Sequence, residues 1–190
     1  MIISITGTPG TGKTEVSAAL AKKINANSID IGKLIDKEDI PRNWDKRRGT
    51  RIVSTIHLKK AVEKNLVKDR TNIVHGHLSH FLKSDFMFIM RCNPIELRKR
   101  LEKRGWPAEK INENIQAEIL DEITIEAIES KKSGKIYEIN TTGMIPEKAA
   151  SLIMKILKYS SLKKYQRLLD KYKPGHVEWS ERYKNILIKQ

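Results

Sequence analysis

A glycine-rich segment directly after the first apolar run constrains the fold of this chain more than any other feature. Residues 7–14 read Gly-Thr-Pro-Gly-Thr-Gly-Lys-Thr and match the pattern G-x-x-x-x-G-K-[ST] at every fixed position. Glycines allow the backbone N–H groups of such a loop to turn toward a phosphate, and the helix that follows directs its positive end at the same anion. The segment therefore predicts a strand–loop–helix unit that binds a nucleoside triphosphate.

The residues of this phosphate loop (residues 7–14) have expected roles. The backbone amides of Gly10, Thr11 and Gly12 are expected to contact phosphate oxygens. The Lys13 ammonium would reach the β and γ phosphates and the Thr14 hydroxyl would ligate Mg²⁺, so the expected cofactors are ATP and Mg²⁺. The pattern alone does not separate a kinase from an ATPase or a GTPase. The sequence contains no Asn-Lys-x-Asp guanine motif, which disfavours a GTPase.

Apolar runs alternate with helical patterns along the rest of the chain. Five short runs predict strands at residues 2–5, 28–31, 72–74, 86–90 and 136–139. Helices are predicted at residues 13–25, 94–103 and 146–157, and one long amphipathic helix is predicted from the spacing of Ile111, Ile115, Ile119, Ile123 and Ala127. Strands that alternate with helices indicate an α/β fold, in which helices cover both faces of a parallel sheet.

The charge of the chain is unevenly distributed. Its 37 Lys and Arg residues outnumber 23 Asp and Glu residues, and the formal net charge of +14 favours polyanionic partners over a merely solubilising surface. The last 36 residues contain ten of the basic and three of the acidic residues, four of the five tyrosines, and Trp179. The tail (residues 158–190) is predicted to be a helical extension that either packs its aromatic side chains on the core or binds RNA.

Three features indicate a cytoplasmic protein that does not enter a membrane. No apolar run approaches the roughly 18 residues that a membrane-spanning helix needs. The first residues lead directly into the phosphate loop, which is not the pattern of a cleaved signal peptide. Cys92 is the single cysteine and cannot form an internal disulfide, as is typical of proteins in a reducing compartment.

Four further segments, taken in order with the phosphate loop, resemble one family. They read Gly-His-Leu-Ser-His at 76–80, Arg-Leu-Glu-Lys-Arg-Gly-Trp at 100–106, Asn-Ile-Gln-Ala-Glu-Ile at 114–119 and Asn-Thr-Thr-Gly at 140–143. As a set they are similar to the archaeal adenylate kinases, which are themselves similar to the eukaryotic coilin-interacting nuclear ATPase. The resemblance is expected to cover residues 1–157 and not the tail.

The resemblance implies a kinase core with two added parts, a monophosphate-binding insertion near residues 28–51 and a short lid near residues 99–109. It implies broad-specificity phosphoryl transfer from ATP to a nucleoside monophosphate, together with ATPase activity. It also implies a role in maturation of the small ribosomal subunit, with a small-subunit ribosomal protein and pre-rRNA as the partner context. The chain is expected to be a monomer or a weak oligomer.

Candidate residues outside the phosphate loop follow from the same resemblance. Arg100 and Arg104 are four residues apart and share a helix face, so both are expected at the nucleotide, with Arg100 neutralising charge on the transferring phosphoryl group. A solvated basic helix end is the alternative. His77 matches the motif histidine and is predicted to be catalytic, either by positioning an attacking water or by relaying strain to the loop, whereas His80 is predicted to pack locally. A His75–His77 zinc site is a weaker alternative, because no third ligand is evident.

The predicted insertion contains several residues that could bind an acceptor. Trp44 could stack on a base or anchor the insertion to the core. Any of five basic residues could hold a monophosphate or form a solvated charged surface: Arg42, Lys46, Arg47, Arg48 and Arg51.

The sequence departs from the family pattern at two positions. His75 stands where the family has an acid that would help to hold Mg²⁺, and a neutral imidazole is a poor ligand for this hard cation. Glu15 stands where the family usually has a small hydroxyl residue. We hypothesise that Glu15 takes over part of the role of the missing acid, and we therefore count it among the nucleotide-binding residues.

Two other functions compete with a metabolic kinase. Weak metal binding at His75 would suit a slow ATP-switched assembly factor that changes its affinity for a ribosomal partner. The basic, aromatic tail would suit a nucleic-acid-binding module.

Overall fold

The chain forms a parallel β-sheet with helices on both faces and a small antiparallel hairpin, and the computed structural model describes residues 1–45 and 50–188. The strands are β1 (Ile2–Thr6), β2 (Asn27–Asp30), β3 (Arg42–Asp45), β4 (Thr50–Val53), β5 (Asn72–His75), β6 (Ser84–Arg91) and β7 (Ser133–Asn140). The helices are α1 (Lys13–Ile24), α2 (Ile31–Lys37), α3 (Thr55–Asn65), α4 (Pro94–Lys103), α5 (Ala108–Ile119), α6 (Glu122–Ser130), α7 (Pro146–Tyr159), α8 (Gln166–Asp170) and α9 (Ser180–Ile188).

The order of the strands places β1 at the centre of the sheet. The five-stranded sheet runs β2-β5-β1-β6-β7, with every neighbouring pair parallel, and β3 and β4 form a separate antiparallel pair. The connection after β1 leads toward β2 on one side, and the chain later crosses to β6 and β7 on the other. In sheets of this kind ligands bind beyond the carboxyl ends of the strands, at the point where the strand order reverses. That point lies directly beyond β1, where the phosphate loop begins.

Alternating side chains on the central strands build a core on each face of the sheet. In β6, Phe88 packs with α1 and α7, whereas its neighbour Met87 packs with Ile123 and Ala127 of α6. In β5, Val74 joins α2 and α3 in a further apolar cluster on the second face. These clusters confirm an α/β fold with helical layers on both sides of the sheet.

Most predicted elements are present, but one predicted helix is wrong. The long helix expected over residues 111–127 is two helices, because Leu120 ends α5 and Asp121 adopts a left-handed conformation with φ 57°. The apolar spacing continues across this break, although the two helices pack in different clusters: Ile111, Ile115 and Ile119 pack with α4 and the tail, whereas Ile123 and Ala127 pack with β6. The strand predicted at residues 28–31 ends at Asp30, and α3 was not predicted.

The tail is folded against the core. The backbone carbonyl of Tyr172 accepts a hydrogen bond of 2.6 Å from the backbone N–H of Glu138, at the open edge of β7. Trp179 and Tyr183 are buried in a cluster with α4 and α5. The prediction that the tail packs aromatic side chains on the core is therefore confirmed, although the tail contains two short helices instead of one.

Within the described residues, no helix is both long and apolar enough to cross a membrane.

A buried ion cluster stabilises the meeting point of α5, α6, β7 and the tail. The Arg91 guanidinium, 2% exposed, contacts Glu118 at 2.9 Å and Glu138 at 2.7 Å, and it also pairs with Asp121. Burial alone would lower the pKa of Arg91, but the three carboxylates raise it overall. The guanidinium therefore stays charged at every accessible pH, and two buried carboxylates depend on it.

Removing this cation should be strongly destabilising. We expect Arg91→Leu to lower the free energy of unfolding by about 3–5 kcal/mol, because it leaves Glu118 and Glu138 buried without their counter-ion. Urea denaturation measures the change. Arg98→Leu is the control, since Arg98 is only part-buried and bonds the Asn112 side chain at 2.8 Å. Equal effects of the two substitutions would contradict this account.

Candidate functional site

The phosphate loop is shaped by close approaches that exclude side chains at two glycines. Gly7 has φ +135°, and a Cβ there would lie 2.3 Å from the backbone oxygen of Met90 in β6. Gly10 has φ +91°, and a Cβ there would lie 2.7 Å from Leu97 and 3.0 Å from Leu101, both in α4. L-residues rarely adopt such φ values. The sequence pattern is therefore required by the way the loop packs on β6 and α4.

The Lys13 side chain is bonded within the phosphate loop. Its Nζ donates to the carbonyl oxygens of Gly7, at 2.8 Å, and Thr8, at 2.9 Å. Burial lowers the pKa of Lys13 from 10.5 to about 8, against a raising contribution from Glu118 and a further lowering one from Arg104. The ammonium is therefore charged at neutral pH, and its position suits a cation that meets an incoming polyphosphate.

One cavity opens beside the phosphate loop on the side of α4. This α4 cavity has a volume of about 480 Å³ and is lined by Gly10, Thr11, Gly12, Glu15, Val16, Arg100, Lys103, Arg104, Thr141, Met144 and Pro146. It combines backbone of the phosphate loop with three cations and an apolar wall.

A separate groove of about 670 Å³ lies near Lys83 and Lys135, at the other end of β6 and β7.

Arg100 and Arg104 both line the α4 cavity, but in different settings. The Arg100 guanidinium donates to the carbonyl oxygens of Gly10 and Thr141, at 3.3 Å each, and pairs with Glu96. Arg104 is 47% exposed and lies 3.7 Å from the Glu15 carboxylate. Arg100 is thus held against the phosphate loop, whereas Arg104 stands at the cavity mouth in the turn between α4 and α5.

A second cavity, of about 430 Å³, opens on the opposite side of the phosphate loop, next to α2. This α2 cavity is lined by Thr14 at one end and by residues of β2, α2 and β5, including Asp30, Lys33, Lys37 and His75. Asp30 and His75 are paired in the parallel register of β2 and β5, so both lie at the carboxyl ends of their strands. The Asp30 carboxylate accepts a hydrogen bond from the backbone N–H of Lys33 at 3.2 Å and caps α2.

The three histidines near the phosphate loop have different surroundings. His80 is fully buried, with Nδ1 3.0 Å from the Thr6 hydroxyl and Nε2 3.1 Å from Glu126, so its predicted local packing is confirmed. Desolvation by the surrounding protein lowers the pKa of His77, and the charge of Lys13 lowers it further. The side chain still reaches solvent. Burial likewise lowers the pKa of His75. His75 and His77 are therefore neutral at pH 7.

The predicted basic residues of the insertion are described only in part. The insertion spans β2, α2 and the β3–β4 hairpin, and Arg42 at the start of β3 pairs with Asp36 of α2. Three candidates, Lys46, Arg47 and Arg48, lie outside the described residues. The side chains of Trp44 and Arg51 also lie outside the description, so their predicted roles stay predictions.

Sequence reasoning missed two residues of the site, Asp30 and Glu118. Asp30 ends a predicted strand and precedes a helix, which is the position of a capping residue at the ligand-binding edge of the sheet. Glu118 lies three residues after Ile115 on the apolar side of α5, and a carboxylate on that side indicates a buried, paired charge. Glu118 is 1% exposed and accepts a 2.5 Å hydrogen bond from the Thr8 hydroxyl of the phosphate loop.

The oxygen donors in the α2 cavity fit a hard divalent cation. Thr14 offers a hydroxyl and Asp30 a carboxylate, and Mg²⁺ prefers such oxygen ligands together with substrate phosphate and water. Within residues 1–45 and 50–188, no cluster of three or more His, Cys, Asp or Glu side chains could hold a metal. Few protein ligands are typical of Mg²⁺ sites that are completed by a nucleotide.

Comparison with known proteins identifies relatives along nearly the whole chain. Residues 3–121 match the family described as "AAA domain". A protein of Methanocaldococcus jannaschii named "Putative adenylate kinase" is 36% identical over 187 residues, which cover 98% of this chain and 97% of the relative. A protein of the same name from Thermococcus kodakarensis is 33% identical over 187 residues, with the same coverage of each chain. The expectation that the resemblance stops at residue 157 is therefore wrong, because these alignments include the tail.

Solved structures with low sequence identity share the fold. Shikimate kinase from Acinetobacter baumannii has a TM-score of 0.57 at 14% identity, covering 85% of this chain and 95% of its own. Thymidylate kinase from Candida albicans has a TM-score of 0.51 at 12% identity, covering 84% of this chain and 92% of its own. At these identities the likeness concerns the fold alone, and it confirms the predicted P-loop α/β architecture.

The pKa of Lys13 predicts how nucleotide affinity should depend on pH. Below about pH 8 the ammonium is charged and its attraction for phosphate is fully present. As pH rises above that value the free protein loses the proton, so we expect the dissociation constant for ADP to rise by up to tenfold per pH unit. Calorimetric titration between pH 7 and 9.5 measures this. Lys13→Met should bind weakly and show no such rise; the same rise in that variant would contradict the assignment.

Proposed function

Because the chain belongs to the family of the archaeal adenylate kinases, we propose that it transfers the γ-phosphoryl group of ATP to a nucleoside monophosphate, with broad acceptor specificity and accompanying ATPase activity. The observation that carries this proposal is the pair of cavities on opposite sides of the phosphate loop. A phosphoryl transferase needs a donor site and an acceptor site that meet at the transferring group. The phosphate loop with Lys13 lies between the two cavities.

The α4 cavity suits the nucleoside of ATP. Its wall includes Met144 and Pro146, which offer apolar contact to a base, and the backbone of residues 10–12 faces the same space. Arg100 and Arg104 supply positive charge between that wall and the phosphate loop. We assign this cavity to the donor nucleotide, and we assign the turn that contains Arg104 to the lid.

The α2 cavity suits the acceptor monophosphate. Lys33 and Lys37 project from successive turns of α2 into its lining, and their charges would attract a phosphate dianion. Within the insertion, β2 and α2 line this space. We therefore assign monophosphate binding to residues 28–51, as expected from the sequence.

The proposed mechanism is positioning combined with charge neutralisation. Lys13 and Arg100 would stabilise negative charge on the transferring group, and no covalent intermediate on the protein is required. His77 is neutral at pH 7, so it would orient a hydroxyl or a water molecule by hydrogen bonding and would not add positive charge. Arg104 is the more exposed lid arginine and is the better placed of the two to move when nucleotide binds.

We assign Mg²⁺ to Thr14 and Asp30 and not to Glu15. When bound, the cation would neutralise charge on the β and γ phosphates. Asp30 lies next to His75, the position at which the family pattern has its acid, so the neighbouring strand supplies the carboxylate that β5 lacks. Glu15 lines the α4 cavity with Arg104 at 3.7 Å, and that cation offsets its charge.

A slow ATP-driven switch in assembly of the small ribosomal subunit is the second candidate. The replacement of the usual acid by His75 favours it, because weaker metal binding suits slow hydrolysis better than rapid metabolic turnover. A role for the tail in stacking RNA bases has less support, because Trp179 and Tyr183 are buried in the core.

A coupled assay separates the two candidates. With ATP and Mg²⁺ we expect ADP formation that depends on added AMP or another monophosphate, and Lys13→Ala should reduce it at least a hundredfold through loss of the charge at the transferring group. AMP-independent hydrolysis alone would favour the switch. A Lys13→Ala variant that retains more than a tenth of the wild-type rate would contradict both.

Titration of Mg²⁺ into the ADP complex tests the assignment of Asp30. Loss of this carboxylate in Asp30→Asn should raise the half-saturating Mg²⁺ concentration roughly tenfold, within the range seen when metal-site residues are changed. Glu15→Gln is the matched comparison and should leave that concentration within about twofold. The reverse result would return the metal-binding role to Glu15, as hypothesised from the sequence.

A further inference from the structure

The last part of the tail lies behind the phosphate loop and contacts the residues that support it. Trp179 is 6% exposed, and its Nε1–H donates to the Glu118 carboxylate at 3.2 Å. The other oxygen of Glu118 accepts the 2.5 Å hydrogen bond from the Thr8 hydroxyl. One buried carboxylate therefore joins the tail to the phosphate loop.

The backbone carbonyl of Thr8 accepts hydrogen bonds that hold the phosphate loop in its conformation. This carbonyl oxygen accepts from Lys13 Nζ at 2.9 Å, from the Thr11 hydroxyl at 2.8 Å and from the Thr11 backbone N–H at 3.2 Å. Thr8 itself is 2% exposed. A displacement of its side chain would therefore move the acceptor of both the loop lysine and Thr11.

A second route runs from the tail to the loop through α4. Gly10 packs on Leu97 and Leu101, and these two leucines belong to the same apolar cluster as Trp179 and Tyr183. The Tyr183 hydroxyl accepts a 2.6 Å hydrogen bond from Asn93, the residue that caps α4. The tail thus also fixes the helix that carries Arg100.

We infer that Glu118 and Trp179 are positioning residues for nucleotide binding, and that the tail is a built-in support of the phosphate loop. This inference rests on the proposed use of the loop to bind nucleotide. Neither side chain lines the α4 or the α2 cavity, so both would act through Thr8. The remaining contacts of Glu118, with Arg91 at 2.9 Å and with the backbone N–H of Cys92 at 3.0 Å, hold the carboxylate in one orientation.

A set of four substitutions in the full chain tests the inference, with ADP affinity measured by calorimetry and a melting temperature recorded for each. Thr8→Val and Trp179→Phe each remove one hydrogen bond to Glu118, and each should weaken ADP binding about three- to tenfold. Thr8→Ser keeps the hydroxyl and should recover most of the affinity lost in Thr8→Val. Tyr172→Phe, elsewhere in the tail, should bind ADP within twofold of the wild type.

The double variant Thr8→Val/Trp179→Phe gives a readout that general destabilisation would not produce. If both residues act through the Glu118 carboxylate, the double variant should bind ADP about as weakly as the single variant with the lower affinity. Once one hydrogen bond to Glu118 is lost, losing the other should reduce the ADP affinity little further. If Trp179→Phe is too unstable to titrate, the comparison of Thr8→Val with Thr8→Ser tests the role of the Glu118 carboxylate, and Tyr183→Phe tests the separate contact of the tail with α4, with an expected loss of ADP affinity of about two- to threefold.

Three outcomes would overturn the inference. The first is ADP binding within twofold of the wild type in both Thr8→Val and the tail variant. The second is a Thr8→Ser variant as weak as Thr8→Val, and the third is strict multiplication of the two single effects in the double variant. A wild-type chain that does not bind ADP would instead reject the proposed function, and this inference with it.

Discussion

The candidate nucleotide site depends on the Lys13 ammonium group, which is enclosed by the phosphate loop. Lys13 donates to two carbonyl oxygens of the phosphate loop, and burial brings its pKa down to about 8. A cation in such surroundings is less well solvated than in water, so an incoming polyphosphate meets a group that has already lost part of its hydration. The same enclosure requires the close packing of Gly7 on β6 and of Gly10 on α4.

A second charged group organises the surrounding structure. Arg91 is buried among carboxylates from α5, from the α5–α6 junction and from β7, and the tail adds the carbonyl of Val177 at 3.4 Å. The Glu118 and Glu138 carboxylates also bond other groups, so the orientation of one element constrains the next. The left-handed conformation of Asp121 belongs to this arrangement, since it ends the run of α5 beside the guanidinium.

The sequence predicted those parts of the molecule that depend on local pattern. The glycine spacing fixed the phosphate loop, and alternating apolar runs located the strands of the parallel sheet. The break at Asp121 was invisible because Ile119 and Ile123 keep their four-residue spacing on either side of it. Asp30 and Glu118 were missed because their partners are distant in sequence: Asp30 meets His75 only through strand register, and Glu118 meets Thr8 across 110 residues.

The contact between the tail and β7 has a consequence for solubility. β7 is the outermost strand of the sheet, and an exposed strand edge is a template for pairing with another chain. Here the Tyr172 carbonyl accepts a hydrogen bond from the backbone N–H of Glu138. The Glu138 carboxylate in turn accepts hydrogen bonds from the backbone N–H groups of Gly175 and Val177. The tail therefore shields that edge from intermolecular β-pairing, and a shortened polypeptide ending after α7 would expose it to aggregation.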